Sequence, residues 1–578
     1  MDDHFERVLA APSAAKRTRD EAQEPQAPKR RRDADGLSGE LIAELLKRAD
    51  AADVEDLDAR ALRTMAHALD KAIRKNALMR SKHSDDPAKF MESEVQLDEE
   101  LAKWKAVAAQ PALYPQLVEL NVVASLLGLF AHENLDVRLD VINLLADLTD
   151  LDEDQSALAP TTQLAQHLVS HDFLPLLVRT LDDLDRDVHQ NGKKANESGE
   201  EDDQDPSATG VYHALQTIEN IVDVVPDAAV ALGKSTRVFS VLLRLISHKR
   251  EFTSNKLYAS EILSILVQAD ATNRNEFLHK DAEESRVDRL LQSLAPFRKR
   301  DPSSEEEEEF VENLFNTLCS VLFEADGQDQ FRRLEGLELM LRFLKDRKLY
   351  VFTGALRVLD HALMNHARNC ERFVEVGGLK AVFPVFMGKK LAKKKECRNK
   401  EIENVASIMT SLCLLLREDA KHDVHVRFHA KFVENDMEKM DRIVDLFVKY
   451  HDRVTAAGVR EGTEDDDDDD DDYLRRLDAG LFVLQRVALV SAHLSKFSRK
   501  LRAYLMVKFH ERNLDAESVI VVLQEQLDLL IAESEVTGVD DSRKEQQISR
   551  LRGLLGVFED DDDTNGVVNN GNADDVQS

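Results

Sequence analysis

ELNVVASLLGLFAHENLDVRLDVINLLADLTD, residues Glu119 to Asp150, reads as two helices and a break. The first apolar run is Val122, Val123, Leu126, Leu127, Leu129 and Phe130. The break is His132-Glu133-Asn134. The second run is Val137, Val141, Leu144, Leu145 and Leu148. Spacings of three and four place these side chains along helical faces. The first run is apolar on more than one side and needs burial on more than one side. One such unit cannot cover its own apolar surface, so a similar unit must stack against it. The first helix is expected to stack within an array and the second to contribute to its concave face.

The rest of the chain repeats this grammar: an apolar helix, a short break, then a longer apolar helix ending in an acidic loop. From Pro111 onward such units recur, among them VFSVLLRLISHKR with KLYASEILSILVQ, and GLELMLRFLKDRK with GALRVLDHALMNH. The period is about 40 to 50 residues once insertions are set aside, as in armadillo or HEAT arrays. The fold class this predicts is all-α: a right-handed α-solenoid of armadillo/HEAT-like repeats with a helical N-terminal cap. The cap is placed at 39–110 and the array at 111–557. Mobile insertions are expected at 191–210, 388–400 and 461–472. A disordered acidic tail is expected at 558–578. Within the cap, ARALRTMAHALDKAIRKNALMRSK sets Leu62, Met65, Leu69 and Ile73 along one stripe. Its cations gather toward the C-terminus, which suits the helix dipole.

Composition narrows the function. The 578 residues carry 77 Lys and Arg against 110 Asp and Glu, a net charge of −33. A phosphate backbone is repelled by most of such a surface, so direct nucleic-acid binding is not expected, and basic protein segments are the natural partners. Aromatics are only 6% and Pro only 13 residues, which favours many helices over an all-β or Rossmann-type chain. The four cysteines form no CxxC; Cys319 and Cys413 lie in apolar helical runs and read as small core residues. No run of 18 apolar residues exists, so no membrane span is expected. The sequence leaves a homo-oligomer open.

No catalytic, cofactor or metal site is predicted. P-loop, GxGxxG, GxSxG and HExxH patterns are absent. His422, His425 and His429 come closest to a cluster, but a metal site would want a further ligand and usually a nearby acid. Two patterns do carry interaction chemistry. The first 38 residues are polar and expected to be disordered. They contain Lys16-Arg17-Thr18-Arg19 and Lys29-Arg30-Arg31-Arg32. This is the spacing of a bipartite nuclear-import signal: Lys16, Arg17 and Arg19, then Lys29, Arg30, Arg31 and Arg32, would meet two acidic pockets of an import receptor. The second pattern lies on the long helices. Importin α grips extended peptides with a ladder of Trp and Asn. Here the aligned positions are Asp147, Asn220, Ile265, His361, Ser411 and Arg486, and only Asn220 is an asparagine. Carboxylates at Asp147, Glu219, Glu261, Asp360 and Glu403 are the candidates, with Asn220, for a concave groove that binds basic segments. The loop GKKLAKKKECRNK, 388–400, is strongly basic and reads as a solvated loop or as a docking site for an acidic partner or an RNA backbone.

Several long blocks resemble the family of beta-catenin-like protein 1, nuclear armadillo-repeat proteins. They are PAKFMESEVQLDEEL, LYPQLVELNVVASLLGLFAHENLDV, NKLYASEILSILVQ, ENLFNTLCS and YLRRLDAGLFVLQ, spread in order from residue 87 to 485. The resemblance implies a nuclear, non-enzymatic scaffold in pre-mRNA splicing, associated with the spliceosome through the nineteen complex. It implies binding to basic nuclear-localisation-type segments of splicing factors. An import or chaperone-like adaptor for basic cargo is the alternative.

Overall fold

The computed structural model of the chain describes residues 57–151, 155–198, 205–279, 285–416, 423–458, 469–537 and 542–559. These residues form helices and turns, with no strand among them. They fall into two compact units, Met1–Val241 and Leu242–Ser578.

In the first unit, α1 (Ala59–Lys82), α2 (Met91–Lys103) and the short α3 (Lys105–Ala108) come first. The Asp58 carboxylate caps α1 by accepting from the amides of Arg60 and Ala61 at 3.0 and 2.7 Å, as N-cap side chains do. Then follow α4 (Tyr114–Glu119), α5 (Val122–Gly128) and α6 (Leu135–Thr149). Next are α7 (Gln155–Ser170), α8 (Phe173–Ser198), α9 (Pro206–Val224), α10 (Asp227–Ser235) and α11 (Val238–Leu245), the last spanning the division between the units. Helices α2 and α3 pack on α6, and α6 on α9. Trp104, the single tryptophan, is buried at this contact.

The opening stretch holds one more break than its pattern suggests. Asn121, at φ 59°, turns the chain between α4 and α5, so the repeat is a helical triplet with a short first and second helix. The apolar run concealed this because a single left-handed residue makes the corner. Asp172 (φ 57°), Glu335 (φ 59°) and Gly377 (φ 88°) occupy the same kind of corner in later repeats.

The second unit continues in triplets. These are α12 (Ser254–Ala269), α13 (Ala271–Leu278), α14 (Arg286–Leu294) and α15 (Glu305–Val321). Next come α16 (Ala325–Arg333), α17 (Gly336–Phe343) and α18 (Val351–Leu363), then α19 (Ala367–Glu375), α20 (Gly378–Phe386) and α21 (Lys395–Leu415). The last set is α22 (Val424–Val433), α23 (Glu438–Gly458), α24 (Asp469–Ala479), α25 (Leu481–Phe497), α26 (Arg499–His510), α27 (Ala516–Thr537) and α28 (Ser542–Glu559). The long third helices α12, α15, α18, α21 and α25 stack in that order. Their cores are mainly apolar: Phe315, Leu318, Leu356, Leu359, Met409 and Leu412 have no solvent exposure. Amides recur as staples between repeats. Asn273 Nδ2 donates to Leu266 O at 2.8 Å, and Asn369 Nδ2 to Ala362 O at 2.7 Å. Each satisfies a carbonyl in the last turn of the preceding third helix, a group the helix itself cannot pair.

Four expected boundaries move. Helix α8 continues to Ser198 and α9 begins at Pro206, so much of the 191–210 insertion is helical. Helix α21 begins at Lys395, which shortens the 388–400 loop. Helix α24 begins at Asp469, inside the 461–472 run. Helix α28 ends at Glu559, just past the expected start of the tail, and its Leu551, Leu554 and Leu555 are buried. Polar composition suggested loops in these places. Residues 1–56, including both basic clusters and the start of the expected cap, lie outside the described residues.

Candidate functional site

The candidate groove residues divide between the two units. In the first, Asp147 is half-buried on α6, and Glu219 and Asn220 are half-buried on α9. Asn220 Nδ2 donates to Ala146 O at 3.2 Å and lies 3.3 Å from Thr149 Oγ1. The amide therefore ties α9 to the end of α6. A second acidic feature of this unit has no signal in the sequence. Asp140 on α6 meets Asp98 on α2, and burial, then the hydrogen bond to Asp98, pushes the Asp140 carboxyl up to about 7. The two residues are 42 positions apart in the numbering and meet only because α2 packs on α6.

In the second unit the candidates stand on the ladder of third helices. Glu261 is half-buried on α12. Glu403 is half-buried on α21, where burial holds its carboxyl above the usual range and Lys400 and Arg453 pull it back down. A carboxylate stripped of water in this way gains from an incoming ammonium or guanidinium group. Between these helices, Glu312 of α15 meets Arg357 of α18 at 3.1 Å. Neither residue stood out in the sequence.

Asp360 must be withdrawn from the groove. It is 3% exposed, and burial pushes its carboxyl up to about 6 against the opposing pull of His361, the Ser407 hydroxyl and Arg486. Helices α18, α21 and α25 enclose it, so a partner could reach it only if they parted. The helical period correctly placed it on a third helix but could not tell which side the next repeat covers.

Two further carboxylates prove to be internal clamps. Glu401, with no solvent exposure, accepts from Arg347 Nη2 (2.8 Å), Thr353 Oγ1 (2.9 Å) and the Ala392 amide (2.7 Å). Glu307 accepts from both terminal nitrogens of Arg300 at 2.9 and 2.6 Å and from the Ser303 amide at 2.7 Å. The Arg300 hydrogen bonds, first among the causes, hold the Glu307 carboxyl at about 2. Ser304 Oγ accepts in turn from the Glu307 amide, capping the acidic start of α15.

The histidines form a stack. His425 and His429 are buried on α22, and His429 Nε2 lies 3.0 Å from His493 Nε2. His422 lies outside the described residues. Among the described residues no group of three or more His, Cys, Asp or Glu is arranged to hold a metal ion. Cys319, Cys370 and Cys413 are buried, and burial raises all three thiols. Among the described residues no single helix is long and apolar enough to cross a membrane.

Known proteins share this pattern of sequence. Residues 40–524 match the family described as "Catenin-beta-like, Arm-motif containing nuclear". Beta-catenin-like protein 1 of Bos taurus is 37% identical over 453 residues, covering 76% of each chain. The Homo sapiens protein of that name is 36% identical over the same length and coverage. The homolog in Schizosaccharomyces pombe is 31% identical over 493 residues, covering 83% of this chain and 81% of its own.

Proposed function

The chain belongs to the catenin-beta-like family of Arm-motif nuclear proteins, and from that premise we propose that it is a non-enzymatic scaffold of pre-mRNA splicing. In this reading it works in the nucleus, associated with the nineteen complex. It holds basic, nuclear-localisation-type segments of splicing factors against its third-helix ladder.

The observation that carries the reading is the pair of half-buried carboxylates on that ladder, Glu261 on α12 and Glu403 on α21. They stand on a frame held rigid by the packed third helices, in a molecule of net charge −33. Opposite charge raises the encounter rate of a Lys/Arg-rich segment, and the desolvated carboxylates then hold it. The chain's own entry to the nucleus is assigned to Lys16, Arg17 and Arg19 with Lys29, Arg30, Arg31 and Arg32.

The test is binding of a fluorescent basic peptide of nuclear-localisation type to the full chain. Affinity is expected to fall steeply between 50 and 300 mM salt (about the range over which screening tightens). It should also fall about tenfold in the double variant Glu261→Arg/Glu403→Arg, the size of one or two charge-assisted contacts. Equal affinity in low and high salt would refute the charge mechanism. Affinity purification from nuclear extract separates scaffold from adaptor: retained splicing proteins favour the first, import factors the second.

A further inference from the structure

Four successive corners between the second and third helices of repeats in the second unit carry exposed cations. After α11 come His248 and Lys249, after α14 Arg298 and Lys299, and after α17 Lys345 and Lys348; all six are exposed. The corner before α21 adds Lys389, Lys393 and Lys394, also exposed. These corners are adjacent in space. One open cleft is lined by His248, Lys249, Arg298 and Lys299, with Ala295 and Pro296 in its wall. The next is lined by Arg298, Lys299, Arg342 and Lys345, with Asp346 and Leu349 in its wall. Arg298 and Lys299 stand in both clefts, so the cations run without interruption from one corner to the third.

Each corner is also fastened to the next. Ser293 Oγ donates to Ile246 O at 3.2 Å, linking the first corner to α14. The Tyr350 amide donates to Asp301 Oδ1 at 2.7 Å, linking the second corner to the third. Glu401 joins Arg347 of the third corner to Ala392 of the fourth. The row is therefore pre-organised rather than a set of independent lysines, and pre-organisation lowers the ordering cost of binding. Two of the acids within it are engaged at the backbone: Asp301 Oδ1 accepts from the Tyr350 amide at 2.7 Å, and Asp346 Oδ1 from the Lys348 amide at 3.0 Å.

We propose that these corners form a basic ridge that docks an extended Asp/Glu-rich segment of another protein. Three observations favour that partner over RNA. The cleft walls are aliphatic, and no Phe, Tyr or Trp is among their lining residues to stack a base; the imidazole of His248, at one end, is the single ring there. The ridge is an island on a chain of net charge −33, so a long phosphate backbone would run on into repulsive surface, whereas a short acidic segment would not. The cations are mostly lysines, point charges that suit carboxylates in irregular spacing rather than a fixed bidentate geometry. The ridge thus gives the scaffold a second docking surface, opposite in charge to the carboxylates of the third-helix ladder.

The experiment uses the full chain and two fluorescent probes of about equal charge, an alternating Asp/Glu dodecapeptide and a twelve-nucleotide oligouridine. The peptide is expected to bind, and the triple reversal Lys249→Glu/Lys299→Glu/Lys345→Glu to weaken it at least tenfold. The control reversal Arg60→Glu/Arg63→Glu/Lys71→Glu, on exposed positions of α1, should change it less than twofold. If the triple reversal lowers the thermal midpoint, the neutral set Lys249→Gln/Lys299→Gln/Lys345→Gln replaces it, with at least a threefold loss expected. No peptide binding by the unmodified chain, or equal losses in ridge and control variants, overturns the proposal. Tighter binding of the oligouridine than of the peptide, lost with the same three lysines, overturns it in favour of a phosphate-backbone site.

Discussion

His429 and His493 leave room for one proton between their two facing nitrogens. His429 Nδ1 donates to His425 O at 2.8 Å, so its Nε2 is the acceptor and His493 Nε2–H the donor across the 3.0 Å gap. The ring of His429 also stacks on Phe497, with centroids 3.8 Å apart. Burial, the first cause in both, lowers His429 to about 4 and His493 to about 3. A histidine whose folded pKa is depressed contributes stability that is complete above its unfolded value of 6.5 and is lost as pH falls toward the folded value. Urea unfolding should therefore show a loss on the order of 2 kcal/mol from each of the two histidines between pH 7.5 and pH 5. His493→Gln, which can keep a donor but does not titrate, should roughly halve that dependence, His429 remaining; an unchanged slope would place the acid sensitivity elsewhere. Gly336 is a second residue whose identity is decided by its surroundings. A Cβ there would lie 2.3 Å from Phe331 Cε2, and the Phe331 ring is fully buried. Gly336→Ala is expected to destabilise by about 1–3 kcal/mol, the usual cost of overpacking, despite the better helix propensity of Ala. A midpoint equal to that of the unmodified chain would show that the ring can move aside.

At the scale of elements, the buried Glu401 decides how two corners hold together. It binds Arg347 before α18 and the Ala392 amide before α21. Removing a buried carboxylate leaves its cation and amide unpaired. Glu401→Ala should cost about 3 kcal/mol, and tryptic cleavage among Lys389 to Lys394 should rise as the corner loosens. Unaltered cleavage with reduced stability would mean that the corner is held by other contacts. Helix existence and type were legible from the apolar period in nearly every described repeat. The corners were less so: Asn121 and Glu335 turn the chain in a single left-handed residue, which no break in hydrophobicity announces. The Ser304 cap was partly visible as DPSSEEEEE, whose acids suit the start of a helix. Arg300, the partner of Glu307 and four residues upstream of that serine, appears only once the turn is formed.

For the whole molecule, charge is the governing quantity. A net charge of −33 makes the proposed capture of basic segments a salt-dependent process, measured by the peptide titration and by reversal of Glu261 and Glu403. Replacement of Lys29, Arg30, Arg31 and Arg32 by Ala should leave a fluorescent fusion in the cytoplasm. Nuclear accumulation of that variant in cells lacking its binding partners would refute the assignment of those residues as the import signal. The sequence by itself determined the all-α repeat architecture and the family, because each depends on apolar periodicity or long collinear matches. Only the tertiary structure decided which polar residues face a partner. Asp360, Glu401 and Glu403 all lie in or beside helical ladders and look alike in sequence. Packing buries the first, clamps the second and leaves the third half-open, because exposure depends on neighbours tens of residues away.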